Sequence, residues 1–275
     1  MKTSFYLIFI CLFLTACDNG KEEVKVEEDG YLSYLRSCKG LLECMNFERP
    51  ADSYNYPVYP GTEEWASFTT GQQRRDTYQI PIEVLKKMST HAVIQAIWEH
   101  YYFFEYIVSS SDRYYQRAFD SSNSVFLSNN AYMELVKRED AGEKLLERFI
   151  LLNPMDPRTT VAWFITIMFE LLIAQPAFLA QFDNDALKII VETAFEKDEL
   201  REKYSSTIHN FFHRHITWML MGRAMLAADY TPYVNALQDD EDLYLYTVGR
   251  LFNDKNFGSF PPIIFDFSKK FITEK

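Results

Sequence analysis

The sequence predicts an all-α protein: a helical bundle or short stack of helix pairs, preceded by an extended Tyr/Pro-rich segment. Three observations lead there. Apolar residues recur at three- and four-residue spacing over most of the chain beyond residue 80. Capping residues and prolines stand where such runs begin. Alternation of apolar and polar residues never persists beyond a few positions, so strands find no support. The runs are short and follow one another directly, which suits paired helices, and no clean internal period accompanies them.

Residues 1–16 carry Lys2, then the apolar run Phe5 to Leu14, then Thr15-Ala16. That is the order of a secretory signal peptide, and the run is far below the roughly 20 residues a spanning helix needs. Leu14-Thr15-Ala16-Cys17 resembles the lipobox of bacterial lipoproteins. The resemblance implies cleavage before Cys17, which becomes the new N-terminus, and a diacylglyceryl group, with fatty chains of the palmitate type, on its thiol. Two acyl chains hold a protein stably on a membrane where one does not. Residues 17–30 are densely charged and lack aromatics, so they read as a lipidated, flexible tether. Within them Lys21-Glu22-Glu23 resembles the signal that sends some Bacteroidota lipoproteins to the outer face of the outer membrane. The expected address is therefore the outer membrane, with the cell surface favoured over the periplasmic face.

Residues 31–79 are rich in Tyr, Pro, Gly and Ser, and Pro50, Pro57 and Pro60 forbid a long helix there. The segment should pack its aromatics on the domain and lead into a short turn of helix around Glu63 to Phe68. Cys11 leaves with the signal peptide and Cys17 is lipidated, so Cys38 and Cys44 remain to form a disulfide in an exported protein.

Residues 80–152 form the N-terminal helical half. Pro81 stands in the first turn of one helix, and Ser89 or Thr90 caps the next, whose apolar positions include Ile94, Ile97, Trp98, Tyr101 and Phe104. Asp140 and Glu143 have capping-box spacing ahead of a face made by Leu145, Leu146, Phe149 and Ile150. Asn153-Pro154-Met155-Asp156-Pro157 interrupts the chain, and residues 153–275 form the C-terminal half, the two halves packing as one domain. Thr159 to Gln175 is almost wholly apolar. Glu170 near its centre and Pro176 after it favour a buried core helix over a membrane span. Leu187, Ile190, Val191, Ala194 and Phe195 share a face of a charged helix. Ile208 to Leu226 is another apolar helix, and shorter ones lie near Val234 and Tyr244.

The motifs Tyr56-Pro57-Val58-Tyr59-Pro60-Gly61-Thr62-Glu63-Glu64-Trp65, Gln79-Ile80-Pro81 with Leu85 and Met88-Ser89-Thr90, and Lys137-Arg138-Glu139-Asp140-Ala141-Gly142 resemble a family of uncharacterised lipoproteins from gut Bacteroidota. The similarity covers roughly residues 55–150 and rests on the order and spacing of three separate motifs. It implies a lipidation site ahead of a helical region. It brings no activity and no catalytic residue.

A net charge of −11 argues against nucleic acid, which needs a basic stripe, and against docking on anionic lipid. His209 and His213 are four apart and share a helix face that could chelate a metal, with Glu170 or Glu192 as a third ligand. Asn210 stands where a zinc protease has its glutamate. The plainer reading is a pair of structural histidines. Trp98, Tyr101 and Tyr102 could stack on a sugar, and Glu99 and Glu105 beside them would be the two carboxylates of a glycosidase, although six residues apart they lie on different helix faces; the plainer reading is a helix with one aromatic core face and its charges outside. No phosphate loop or nucleophile elbow occurs, and no cofactor is expected. Two functions fit: a tethered, non-enzymatic module that binds a protein or glycan, or a hydrolase, metal-assisted or not, near His209 and His213.

Overall fold

The computed structural model describes residues 49–59, 61–99, 129–154, 162–204, 210–251 and 259–274, with only the backbone of 163–164, 203–204 and 210–213. The described residues hold thirteen helices and no strand, so the class is all-α as the residue spacing predicts. The leader, Cys17, Lys21-Glu22-Glu23, Cys38 and Cys44 lie outside the described residues.

Residues 49–59 run without regular structure, as their prolines require. Helix α1 (Glu63–Ser67) follows, with the Thr62 hydroxyl accepting from the Trp65 amide. The expected extended segment also contains α2 (Gly71–Asp76), opened by a capping box between Thr70 and Gln73. Two orphan amides are satisfied there at once, enough to set a short helix in a Pro-poor stretch.

Helix α3 (Ile82–Leu85) is a single turn begun by Pro81. Ser89 caps α4 (Thr90–Trp98), which α5 (Asn130–Leu135) covers. Helix α6 (Ala141–Leu151) starts at Asp140, but the expected capping box with Glu143 is not formed. The Asp140 backbone lies near ψ 4° rather than extended, and its carboxylate accepts from the Thr90 hydroxyl at 2.7 Å, tying α6 to α4. Leu145, Leu146 and Phe149 face inward as expected, whereas Ile150 is 48% exposed. With Phe149 and Leu152 both turned to the core, the helical period sends the positions between them outward.

Helix α7 (Ala162–Ile173) is buried at every described side chain, Glu170 included. No described helix is long and apolar enough to cross a membrane. After α8 (Pro176–Leu179) comes the longest hairpin, α9 (Asn184–Tyr204) and α10 (Asn210–Ala227), followed by α11 (Thr231–Asp239), α12 (Glu241–Thr247) and α13 (Phe260–Thr273). Leu187, Ile190, Val191 and Ala194 of α9 are buried together, with Phe195 at their edge. Helix α10 is the hub, packed against α7, α8, α9, α11, α12 and α13. A single apolar cluster runs from Tyr56 to Phe271 and joins the helices on both sides of Pro154.

One close approach depends on a missing side chain. A Cβ on Gly222 of α10 would lie 2.7 Å from the Tyr233 hydroxyl and 3.2 Å from Thr247 Cγ2. Tyr233 is fully buried and its hydroxyl meets Thr247 Oγ1 at 2.7 Å, so the ring has no free direction of retreat. Gly222→Ala is therefore expected to lower unfolding free energy by about 1–3 kcal/mol despite the better helix propensity of alanine, as read by urea unfolding.

Candidate functional site

The apolar face of α9 continues beyond Ala194 into Lys197, Asp198 and Arg201, which are 5%, 0% and 3% exposed. They meet Glu170 of α7 and Arg214, Thr217 and Trp218 of α10 in an ionic seam. Arg201 grips the Glu170 carboxylate with both terminal nitrogens, at 3.3 and 2.9 Å. The Thr217 hydroxyl donates to the same carboxylate at 2.6 Å and accepts from Arg201 at 2.5 Å. One turn away, Arg214 makes two parallel bonds of 2.8 Å to Asp198, and the Trp218 indole donates to Asp198 Oδ2 at 3.0 Å. The Arg214 guanidinium also lies over the Trp218 ring.

Both carboxylates thus have both oxygens engaged within the seam. Burial still pushes the Glu170 carboxyl upward, against the pull of Arg201 and Thr217. Lys197 donates to the carbonyl oxygens of Leu152 and Ile150 at the end of α6, and its ammonium lies over the Phe149 ring. Burial lowers this amine to about 8. His215, 2% exposed, faces α12, where its Nδ1 meets the Tyr246 hydroxyl at 2.6 Å, and its ring stands edge-on to Trp218 and Tyr246. Burial, helped by neighbouring Arg214, depresses the imidazole to about 3, which keeps it neutral.

The residues singled out from sequence divide accordingly. Glu170, a possible metal ligand, is committed to Arg201, and Glu192 sits on the exposed side of α9. His213 lies on α10 with its side chain outside the described set, and His209 lies outside the described residues. Among the described residues no group of three His, Cys, Asp or Glu side chains is placed to hold a metal ion. The Trp98 ring packs on Phe169 of α7, centroids 4.5 Å apart, and so contributes to the core. Glu99 pairs with Arg49 at 2.8 Å. Tyr101, Tyr102 and Glu105 lie outside the described residues. An open groove is lined by Asp52, Glu83, Val84, Lys87 and Met88.

Sequence reasoning missed Arg201, Asp198, Arg214 and Thr217. Their signal was present: 194, 198 and 201, and 214, 217, 218 and 221, keep helical core spacing, so charges there occupy inward positions. No family model, curated protein or solved structure matches the chain.

Two outcomes follow from the seam. Asp198→Asn, which weakens two charge-assisted bonds, should cost about 2 kcal/mol in chemical unfolding. His215 holds its proton less tightly folded than unfolded, the ordinary value being 6.5. Its contribution is complete above that value and is lost as pH falls toward about 3. Between these limits the protein should lose stability faster than His215→Gln, by up to about 1.4 kcal/mol per pH unit, in unfolding curves taken from pH about 7 to 4.

Proposed function

We propose that the protein is a lipoprotein held on the bacterial outer membrane through Cys17, with a helical body that serves as a non-enzymatic interaction module for a protein or glycan. The observation that carries this reading is the sealed seam. Glu170, Asp198 and Arg201 are residue types acid–base chemistry would use, and they are buried and committed to one another or to Arg214 at the edge of the seam. A hydrolase centred on His209 and His213 would need a carboxylate there, and Glu170 has neither oxygen to give.

Contact area is available on the surface instead. Ile150 and Leu151 are 48% and 58% exposed side by side where α6 ends, and Ile82 and Val84 are exposed on α3 beside the open groove. Clustered exposed apolar groups are the usual anchors of a partner surface. The lipobox and the charged residues 17–30 support a tether that leaves this surface free to meet a partner, and Lys21-Glu22-Glu23 supports an outward-facing address.

The tether is tested by metabolic labelling with a clickable fatty acid. Label and membrane attachment should both disappear in Cys17→Ser, and a labelled, membrane-bound variant would contradict it. For the module, a photo-crosslinker at position 151 should yield one discrete adduct in cells, reduced at least severalfold by Ile150→Asp. Absence of any adduct, together with no binding on a glycan array, would remove the interaction reading.

A further inference from the structure

The chain ahead of the helices is fastened to α4 in two unlike ways. Arg49 Nε and Nη2 reach the two oxygens of Glu99, at the far end of α4, at 2.8 and 3.1 Å. The same guanidinium donates to the Tyr54 carbonyl and to Asn55 Oδ1, each at 3.0 Å, which closes the loop between them. A turn bonded from the Ser53 amide to the Pro50 carbonyl carries Asp52 to the other end of α4. There its carboxylate accepts from the Ser89 amide at 2.5 Å and the Ser89 hydroxyl at 3.0 Å. The contacts of Arg49 and Asp52 are polar and reached by solvent, with Arg49 and Glu99 side chains 36% and 28% exposed, while between them Ser53 is buried and Tyr54 packs edge-on to Tyr56 at 5.1 Å. The next attachment differs in kind. Tyr56 is buried, donates to the Ala96 carbonyl at 3.0 Å and packs against Tyr78.

We propose that residues 49–55 form an ionic latch on α4 that opens about Tyr56 while the helical body stays folded. The groups left behind keep partners of their own. Ser89 still caps α4 through the Ala92 amide, and Glu99 still accepts from Gln95 Nε2 at 3.0 Å. Opening therefore strands no buried charge, and its apolar cost is the release of the half-buried Tyr54 ring from Tyr56. It frees residues 49–55, which at up to ~3.5 Å each add less than about 25 Å to the reach of the chain ahead of Tyr56. The latch thus gives the N-terminal segment two lengths, and salt, which screens exposed ion pairs, favours the longer one. This inference holds whether or not Cys17 carries a lipid.

Hydrogen exchange of the full chain tests it at the amides of Ser53 and Ser89, whose bonds the latch makes, against Val93, whose bond to the Ser89 carbonyl is helical. In Arg49→Ala, Ser53 and Ser89 should exchange about fivefold faster, the range of an exposed ion pair, with Val93 unchanged. Raising salt to ~1 M should speed Ser89 in the natural protein and have no such effect in Arg49→Ala. Unchanged exchange at Ser53 and Ser89 would overturn the latch. So would equal acceleration at Val93, which would make the segment an integral part of the fold, and so would a salt response that survives Arg49→Ala.

Discussion

A charge taken out of water must find a partner, and three packed helices of this protein are arranged around that requirement. Glu170, Asp198 and Arg201 are sealed between α7, α9 and α10, with Arg214 at their edge. An isolated buried ion costs several kcal/mol even after relaxation, so each of these side chains dictates the position of another. Bidentate geometry sharpens that demand, because a guanidinium and a carboxylate share two bonds in only one relative orientation. The pair at 170–201 ties α9 to α7, and the pair at 198–214 ties it to α10.

The same rule settles how several helices end. The last carbonyl groups of a helix lack internal partners and carry partial negative charge. Arg138 donates to the carbonyls of Leu85, the last residue of α3, and Met88 just beyond it, Lys197 to those of Ile150 and Leu152 at the end of α6, and Arg223 to Ala174 after α7 and Val248 after α12. Burial lowers Arg223 to about 10, yet at neutral pH it stays charged and can serve two helix ends at once. Lys197 and Arg223, both buried, thus link α9 and α10 to the ends of other helices, and the half-buried Arg138, between α5 and α6, does the same for α3.

Much of this was legible in the residues. Spacing at three and four gave the all-α class, and Ser89, Pro81 and the apolar run around Glu170 marked real helices. The Asp140–Glu143 pattern misled because Thr90, fifty positions earlier, competes for the same carboxylate, and local spacing carries no information about a partner brought by the fold. Helix α13 was not singled out in the sequence, although Pro261 and Pro262 in its first turn are a start signal. For the seam, charges at core spacing on α9 announced burial, but which carboxylate met which guanidinium depended on how α7 and α10 packed. Trp98 and Glu99, adjacent in sequence, turn to different neighbours, Phe169 in the core and Arg49 at the surface, which matches an aromatic core face with charges outside rather than a sugar platform.

The buried ionisable groups are tied down in two ways, Glu170 and Asp198 to guanidinium groups and Lys197 and Arg223 to carbonyls at helix ends. The account rests on the Glu170–Arg201 pair acting as a coupled unit, and a double-mutant cycle in denaturant tests that directly. Glu170→Met and Arg201→Met should each cost about 3–5 kcal/mol by stranding the other charge, and the double variant should cost much less than their sum, leaving a coupling above about 2 kcal/mol. Costs that add to within about 0.5 kcal/mol would show the two side chains to be independent and would contradict the account.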